Sequence, residues 1–306
     1  MNKPLFAGST LLEFAEIAAV DPVSSNRFVG RHNQPNLRRS VFGGQIIGQS
    51  LAAASHTVGT DRAPSEHKVL FLKPADVGQP ICYEVEPLLE GGSFSIRRIR
   101  CLQNERLLAD VTASFHRDDA GGVRHQDMMP TGIPGPEGLD NIETLVRQHS
   151  DRIPSEAVDS MTRPTPVELR PAHPDAFFDR PAATGELFYW MRIKDPLPDS
   201  APLHYQAFAF MSDWWLSVPG FMQHTETVAS DNFFVVSLNH TLWFHARPQA
   251  DEWLLVHARS PAASGGRGLI QGVAWDCRGT LVAHMAQEAL GRAAYRDGYP
   301  PTGKAS

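Results

Sequence analysis

A repeat places the tightest limit on how this chain can fold. Val41 to Val58, VFGGQIIGQSLAAASHTV, is a run of small and apolar residues. It is too long for an ordinary strand and reads as a helix. Because it is apolar nearly all round, it should be a helix wrapped by other structure. Strand candidates follow at Lys68–Leu72, Ile81–Leu89, Phe94–Leu102 and Leu107–Phe115, with turns marked by Gly91-Gly92 and Gln103-Asn104. The second half gives the same order. A strand at Leu187–Lys194 precedes a helical stretch from Tyr205 to Val218, which Pro219-Gly220 stops. Strands then follow at Ser237–His245, Trp253–Ser260, Arg267–Cys277 and Thr280–Leu290. Pro74 and Pro248, Ser93 and Arg267, and Leu108 and Val282 are each 174 positions apart. A shared order at constant offset marks an internal duplication. A long helix followed by antiparallel strands, twice over, predicts an α+β fold of two antiparallel sheets, each wrapped around a long central helix.

The middle of the chain differs from its flanks. Asp119 to Glu186 holds nine prolines, a composition that sustains neither a long helix nor a central strand. Its first part reads as a linker with one short helix at Asn141 to His149, and a strand through Val167–Arg170 opens the second domain. The division predicted is 1–118, a Pro-rich linker at 119–165, and 166–306.

A formal charge of −6 argues against a nucleic-acid role, which needs a basic face. Three cysteines without a C-x-x-C pair suit a reducing compartment, so cytoplasm is expected. No apolar run approaches the ~18 residues of a membrane span. Leu11 to Val20, interrupted by Glu13 and Glu16, reads as a short amphipathic helix, and the terminal Lys304-Ala305-Ser306 is not a peroxisomal address of the Ser-Lys-Leu type. There is no G-x-S-x-G elbow, H-E-x-x-H run or phosphate-binding glycine loop. His240 and His245 lie on opposite faces of one strand and cannot share a metal. No metal and no cofactor are expected.

Two residues stand out chemically. Asp213 lies within FAFMSDWWL, where burying a carboxylate is costly and raises its pKa toward that of a general base working near neutrality. It equally fits a cap on the turn that ends at Pro219, and the two roles are compatible. Gln287 is the one polar residue on a strand face shared with Leu281, Ala283, Met285 and Ala289. A buried amide must find partners: a water, a substrate carbonyl, or simply backbone. Ser237 opens its strand, but strict alternation groups it with Asn239, Thr241 and Trp243, away from the helix side. Only an irregular strand start lets Ser237 meet Gln287. Arg97, Arg98 and Arg100, with Arg38-Arg39, are candidates for meeting substrate phosphates, or are solvated surface charges.

These segments resemble the acyl-CoA thioesterase II family, the TesB-like double-hotdog enzymes. The resemblance covers nearly the whole length. It runs through Val41-Phe42-Gly43-Gly44-Gln45, Gly92-Ser93-Phe94-Ser95, Ala113-Ser114-Phe115 and Met129-Pro130. In the second half it continues through Ser212-Asp213, Asn239-His240, Trp243-Phe244-His245, Glu252-Trp253-Leu254-Leu255, Arg267-Gly268 and Gln287-Glu288. It implies a double hotdog, an assembly beyond one chain, and hydrolysis of acyl-CoA by a water that an Asp, a Thr and a Gln activate. The matching positions are Asp213, Ser237 and Gln287. Serine at 237 keeps the hydroxyl but lacks the methyl that fixes its rotamer. Trp214-Trp215 is bulkier than the family's usual Leu-Asn and should reshape the acyl pocket.

On this reading the substrate is an acyl-CoA, or an acyl group on a carrier protein, and CoA is part of the substrate rather than a cofactor. Backbone N–H groups at Gly43, Gly44 and Gln45 are expected to bind substrate by polarising the thioester carbonyl. Competing readings are a hotdog hydratase or dehydratase, for which no Asp-x-Asn-Pro-x-His run exists, and a non-catalytic acyl-CoA-binding module.

Overall fold

The computed structural model describes residues 14–36, 40–179, 181–226 and 233–293. Arg38-Arg39, the first residues of the Leu11 to Val20 segment and the C-terminal tripeptide lie outside them. In the first half, α1 (Phe14–Ala18), β1 (Asp21–Ser24) and β2 (Arg27–Gly30) precede α2 (Gly43–Ser55). Then come β3 (Ala63–Phe71), β4 (Ile81–Glu90), β5 (Phe94–Gln103) and β6 (Arg106–His116). After α3 (Ile142–Gln148) and α4 (Ser155–Met161), the second half holds β7 (Val167–Pro171), α5 (Pro174–Phe178), β8 (Glu186–Ile193) and α6 (Ala201–Ser212). It closes with β9 (Phe233–Phe244), β10 (Leu254–Ser264), β11 (Arg267–Asp276) and β12 (Leu281–Ala293).

The duplication shows in the strand order, β1-β2-β4-β5-β6-β3-β9-β12-β11-β10-β8-β7, which reads the same from either end when each strand is replaced by its counterpart. The two sheets of the repeat join where β3 pairs antiparallel with β9, Lys68 facing Thr241, so that twelve strands form one continuous sheet. This pairing gives each half's exposed edge a partner. The sheet curls around α2 and α6, which run antiparallel: a Cβ built on Gly44 would meet Phe210 O, and one built on Gly48 would meet Gln206 O. At Gly44 that contact would be 2.3 Å, so only glycine lets the two helices approach so closely.

The element ends differ from the sequence reading where composition misleads. β3 begins five residues earlier than expected, because a bulge at Ser65 lets the polar, proline-containing start pair with β6. The β5–β6 turn falls on Asn104-Glu105, both at positive φ, as a two-residue hairpin turn requires. α3 forms as expected, with Asn141 Oδ1 accepting from Thr144 N–H at 2.9 Å. The largest shift is in α6, which starts and stops earlier than the Tyr205–Val218 stretch. The chain turns out of the helix after Ser212 and passes through Trp215 at φ 65°, a left-handed conformation that glycine usually supplies at a helix end. Trp215 is held there by a stack on Phe177, with ring centroids 4.1 Å apart.

The proline-rich segment is strapped onto the outer face of the second half. Trp190 Nε1 donates to Pro134 O, Arg170 to Pro136 O, and Gln126 bonds the Gly279–Leu281 backbone at both ends of its amide. Met129, Ile133 and Leu139 cover Trp190, Trp253 and Leu255. Among the described residues no helix is long and apolar enough to cross a membrane.

Candidate active site

Asp213 sits where α6 ends and α2 begins. It follows the last residue of α6 in right-handed conformation, as a C-terminal rather than an N-terminal cap, so the expectation that it caps a following helical turn is corrected. A carboxylate there meets the negative end of its own helix. The opposing helix compensates, because Gly44 N–H, in the first turn of α2, donates to the Asp213 carboxylate. Gly43 makes this approach possible: a Cβ there would lie 2.6 Å from Asp213 Oδ2.

β12 and β9 bring up the other two groups. Leu281, Ala283, Met285, Gln287 and Ala289 are all buried against the helices, as alternation predicts. The parity problem at Ser237 is resolved by a bulge: Glu288 pairs with Asn239 but Ala289 pairs with Ser237, so Leu238 is the extra residue. Gln287 Nε2 then donates to Asp213 Oδ1 at 3.1 Å and to Ser237 Oγ, and Ser237 Oγ–H lies 3.5 Å from Asp213 Oδ1. Burial pushes the Asp213 carboxyl up, and the donors from Gln287, Gly44 and Ser237 pull it partly back, to about 7.

A second layer was not foreseen from the sequence. Gln287 Oε1 is 3.2 Å from His240 Nδ1, and His240 Nε2 is 2.9 Å from Ser212 Oγ; all three residues are buried. Burial lowers the His240 pKa to about 4, so the ring is neutral. The signal was present in the repeat: Ser50 and His67 make the same contact at 3.1 Å in the first half. There, however, Ala113 faces His67 across the ladder where Gln287 faces His240. Leu51 follows Ser50 where Asp213 follows Ser212, and Pro64 precedes the β3 bulge where Ser237 precedes that of β9. The first half thus has no acid, hydroxyl or amide at the equivalent place, and among the described residues the trio occurs once.

The residues at the head of α2 divide. Gly43 and Gly44 border Asp213. Gln45 does not face it: its side chain accepts from Gln34 N–H and donates to His32 O at 2.7 Å, clamping the entering loop, and its own N–H bonds Phe42 O. The arginines are engaged within the chain. Arg97 is buried against Thr57, Leu89 O and Glu90; Arg98 forms a two-point pair with Asp110; Arg100 pairs with Glu84. Arg97 is thus part of a structural ion pair, whereas Arg98 and Arg100 are exposed and fit the reading as solvated surface charges. Trp214 leans on Phe42, with ring centroids 4.8 Å apart, and so joins the aromatic wall beside the carboxylate. Among the described residues no group of three or more His, Cys, Asp or Glu is placed to hold a metal.

The fold is a double hotdog, and comparison with known proteins gives the class of enzyme it serves. The family description "Acyl-CoA thioesterase N-terminal domain" matches residues 32–116, and "Acyl-CoA thioesterase C-terminal domain" matches residues 136–290. Human acyl-coenzyme A thioesterase 8 is 31% identical over 278 residues, covering 89% of this chain and 86% of its own length. Acyl-CoA thioesterase 2 of Haemophilus influenzae is 29% identical, over 82% of this chain and 87% of its own. The crystal structure of the acyl-CoA thioesterase II TesB2 from Mycobacterium marinum superposes with a TM-score of 0.74 at 33% identity, covering 93% of this chain and 99% of that one. The chain belongs to the acyl-CoA thioesterase family and is a thioester hydrolase.

Proposed function

We propose that Asp213 is the general base of acyl-CoA hydrolysis, acting on a water held between it, Ser237 and Gln287. The observation that carries this reading is a carboxylate titrating near 7 with an amide and a hydroxyl aimed at one of its oxygens. At neutral pH such a group accepts a proton and still returns it. Water oxygen bonds to the thioester carbonyl carbon as its proton passes to Asp213. The C–S bond then breaks, and the departing CoA sulfur takes that proton. Of the backbone donors at the head of α2, Gly44 N–H serves the carboxylate and Gln45 N–H the turn, which leaves Gly43 N–H for the carbonyl oxygen. No cofactor enters this scheme.

A CoA rather than a carrier-protein substrate is supported by the names of the relatives. Three unpaired cysteines, one of them buried, support a reducing cytoplasmic setting, and the family resemblance supports a homo-oligomer. The division into domains at 1–118 and 166–306 is supported by the palindromic strand order. The deciding experiment is thiol release from acyl-CoAs of graded chain length by the wild-type protein and by Asp213→Asn. Binding without thiol release would make the protein an acyl-CoA-binding module, and full turnover by the variant would remove Asp213 from the mechanism.

A further inference from the structure

The amide of Gln287 has a donor end and an acceptor end, and only one orientation serves the site. Turned the other way, its oxygen would face Asp213 Oδ1 at the 3.1 Å now spanned by a hydrogen bond. Two lone pairs would oppose each other, and Ser237 would lose its donor. We infer that His240, backed by Ser212, fixes the orientation of the Gln287 amide and thereby aims the donors of the site at Asp213 and Ser237.

A neutral imidazole carries one N–H. Gln287 Oε1 can only accept, so the ring proton is on Nδ1, and Nε2 accepts from the Ser212 hydroxyl. The hydrogen bonds then run in one direction: Ser212 to His240, His240 to Gln287, Gln287 to Asp213 and Ser237. If Ser212 instead gave its hydrogen to Ala209 O, 2.7 Å away, Nε2 would have to carry the proton, and the Nδ1 lone pair would meet Oε1. The first half supplies an internal control. Ser50 and His67 form the same pair, but Ala113 stands opposite and His67 Nδ1, buried, has no hydrogen-bond partner among the described residues. The Ser–His pair is thus common scaffold, and only in the second half does its inner nitrogen hold an amide.

The groups surrounding this relay are neutral or accounted for. From β3, His67 faces His240, its own pKa lowered to about 3 by burial and then by His240. From β8, the buried Tyr189 faces Asp213 and is pushed up, first by burial and then by that carboxylate. From α2 comes only the Gly44 N–H. His240 touches no reacting atom in this scheme and is a positioning residue.

The inference rests on the trio as the working site, and its test separates the two. In the full chain, His240→Leu removes the donor to Gln287, whereas His240→Asn keeps an N–H attached to Cγ where Nδ1 stood. His240→Leu is expected to lower kcat/KM by up to about a hundredfold, the scale of a misplaced catalytic group. It should also move the acid limb of the pH–rate profile upward, because Asp213 loses a donor that holds its pKa down. His240→Asn should recover both to within a few fold. A purely structural histidine would lower the melting temperature without moving that limb. Nitrogen NMR of the ring gives a readout free of turnover: His240 should be the Nδ1–H tautomer in the wild type and equally in Asp213→Asn. An Nε2–H tautomer overturns the inference, as does an unshifted acid limb in folded His240→Leu, or no recovery in folded His240→Asn. Should His240→Leu fail to fold, the tautomer and the asparagine variant still decide. Normal hydrolysis by Asp213→Asn would overturn the catalytic reading instead, and leaves the tautomer result standing by itself.

Discussion

Replacing Asp213 by asparagine should stop hydrolysis and also make the protein harder to unfold, by an amount that grows with pH. In the unfolded chain this carboxyl ionises near 3.8; in the folded protein burial moves it to about 7, against the pull of Gln287, Gly44 N–H and Ser237. Below 3.8 both states are protonated and the residue is tolerated at no ionisation cost. Between the two values the unfolded chain gives up a proton that the folded protein retains, so the stability this residue contributes falls as pH rises and is fully lost above 7. At about 1.4 kcal/mol per pH unit, the interval sets a ceiling of about 4 kcal/mol. Asp213 is only half-buried, and relaxation and solvent screening reduce the figure to about 2 kcal/mol. Asparagine does not titrate, so the gap between variant and wild type should widen by that amount from pH 4 to pH 8. For a chain of this size that corresponds to roughly 4 °C in Tm. The amide keeps one acceptor oxygen of two, and losing one donor partner shifts the whole curve without changing its slope, so urea or thermal unfolding at several pH values isolates the ionisation. A gap independent of pH, or one that narrows as pH rises, would refute the claim that a partly desolvated, ionisable Asp213 is held at the site at a cost in stability.

Three further outcomes follow from the same geometry. The acid limb of kcat/KM should lie near pH 7, with the rate rising as Asp213 deprotonates, and a pH–rate profile on a short acyl-CoA measures it. Ser237→Thr should retain hydrolysis while Ser237→Ala should lose about tenfold, since only the hydroxyl accepts from Gln287 and approaches Asp213; steady-state kinetics compares them. Gly44→Ala should destabilise by about 1–3 kcal/mol, because its methyl would lie 2.3 Å from both Phe210 O and the Phe42 ring. Gly48→Ala, with its nearest contacts at 3.1 and 3.2 Å and better helix propensity, should be nearly neutral, and denaturant unfolding of both variants tests the contrast.

Much of this arrangement is legible in the sequence. Strands β4, β5 and β6 fall within a residue of where hydrophobic alternation puts them, because each has one face on the core and a one-residue slip would expose it. Gln287 declared itself as the lone polar residue on an apolar face, and Asp213 as an acid in an apolar run. The end of α6 was not legible, since Trp214 to Val218 is as apolar as the helix before it. The helix ends at Ser212, and the chain beyond it is turned by a tryptophan in left-handed conformation, stacked on Phe177 from another part of the chain. The arginines of β5 were ambiguous because charge alone does not reveal that Asp110, Glu84 and Glu90 lie opposite.

By itself the sequence determined the duplication, the order of the central helix and the four strands after it in each half, and the residues whose burial must be compensated, but not β1 and β2, which precede α2. These follow from periodicity and composition, which act locally along the chain. Only the tertiary structure decided that β3 and β9 join the halves into one sheet, that a bulge at Leu238 turns Ser237 toward Gln287, and that His240 stands behind the amide. Those depend on register and on groups far apart in sequence that meet at hydrogen-bond distance. β9 begins at Phe233, not at Ser237 as alternation suggested, and a shift of one residue in the ladder, which no local pattern fixes where a strand carries a bulge, would have turned the serine away from the acid.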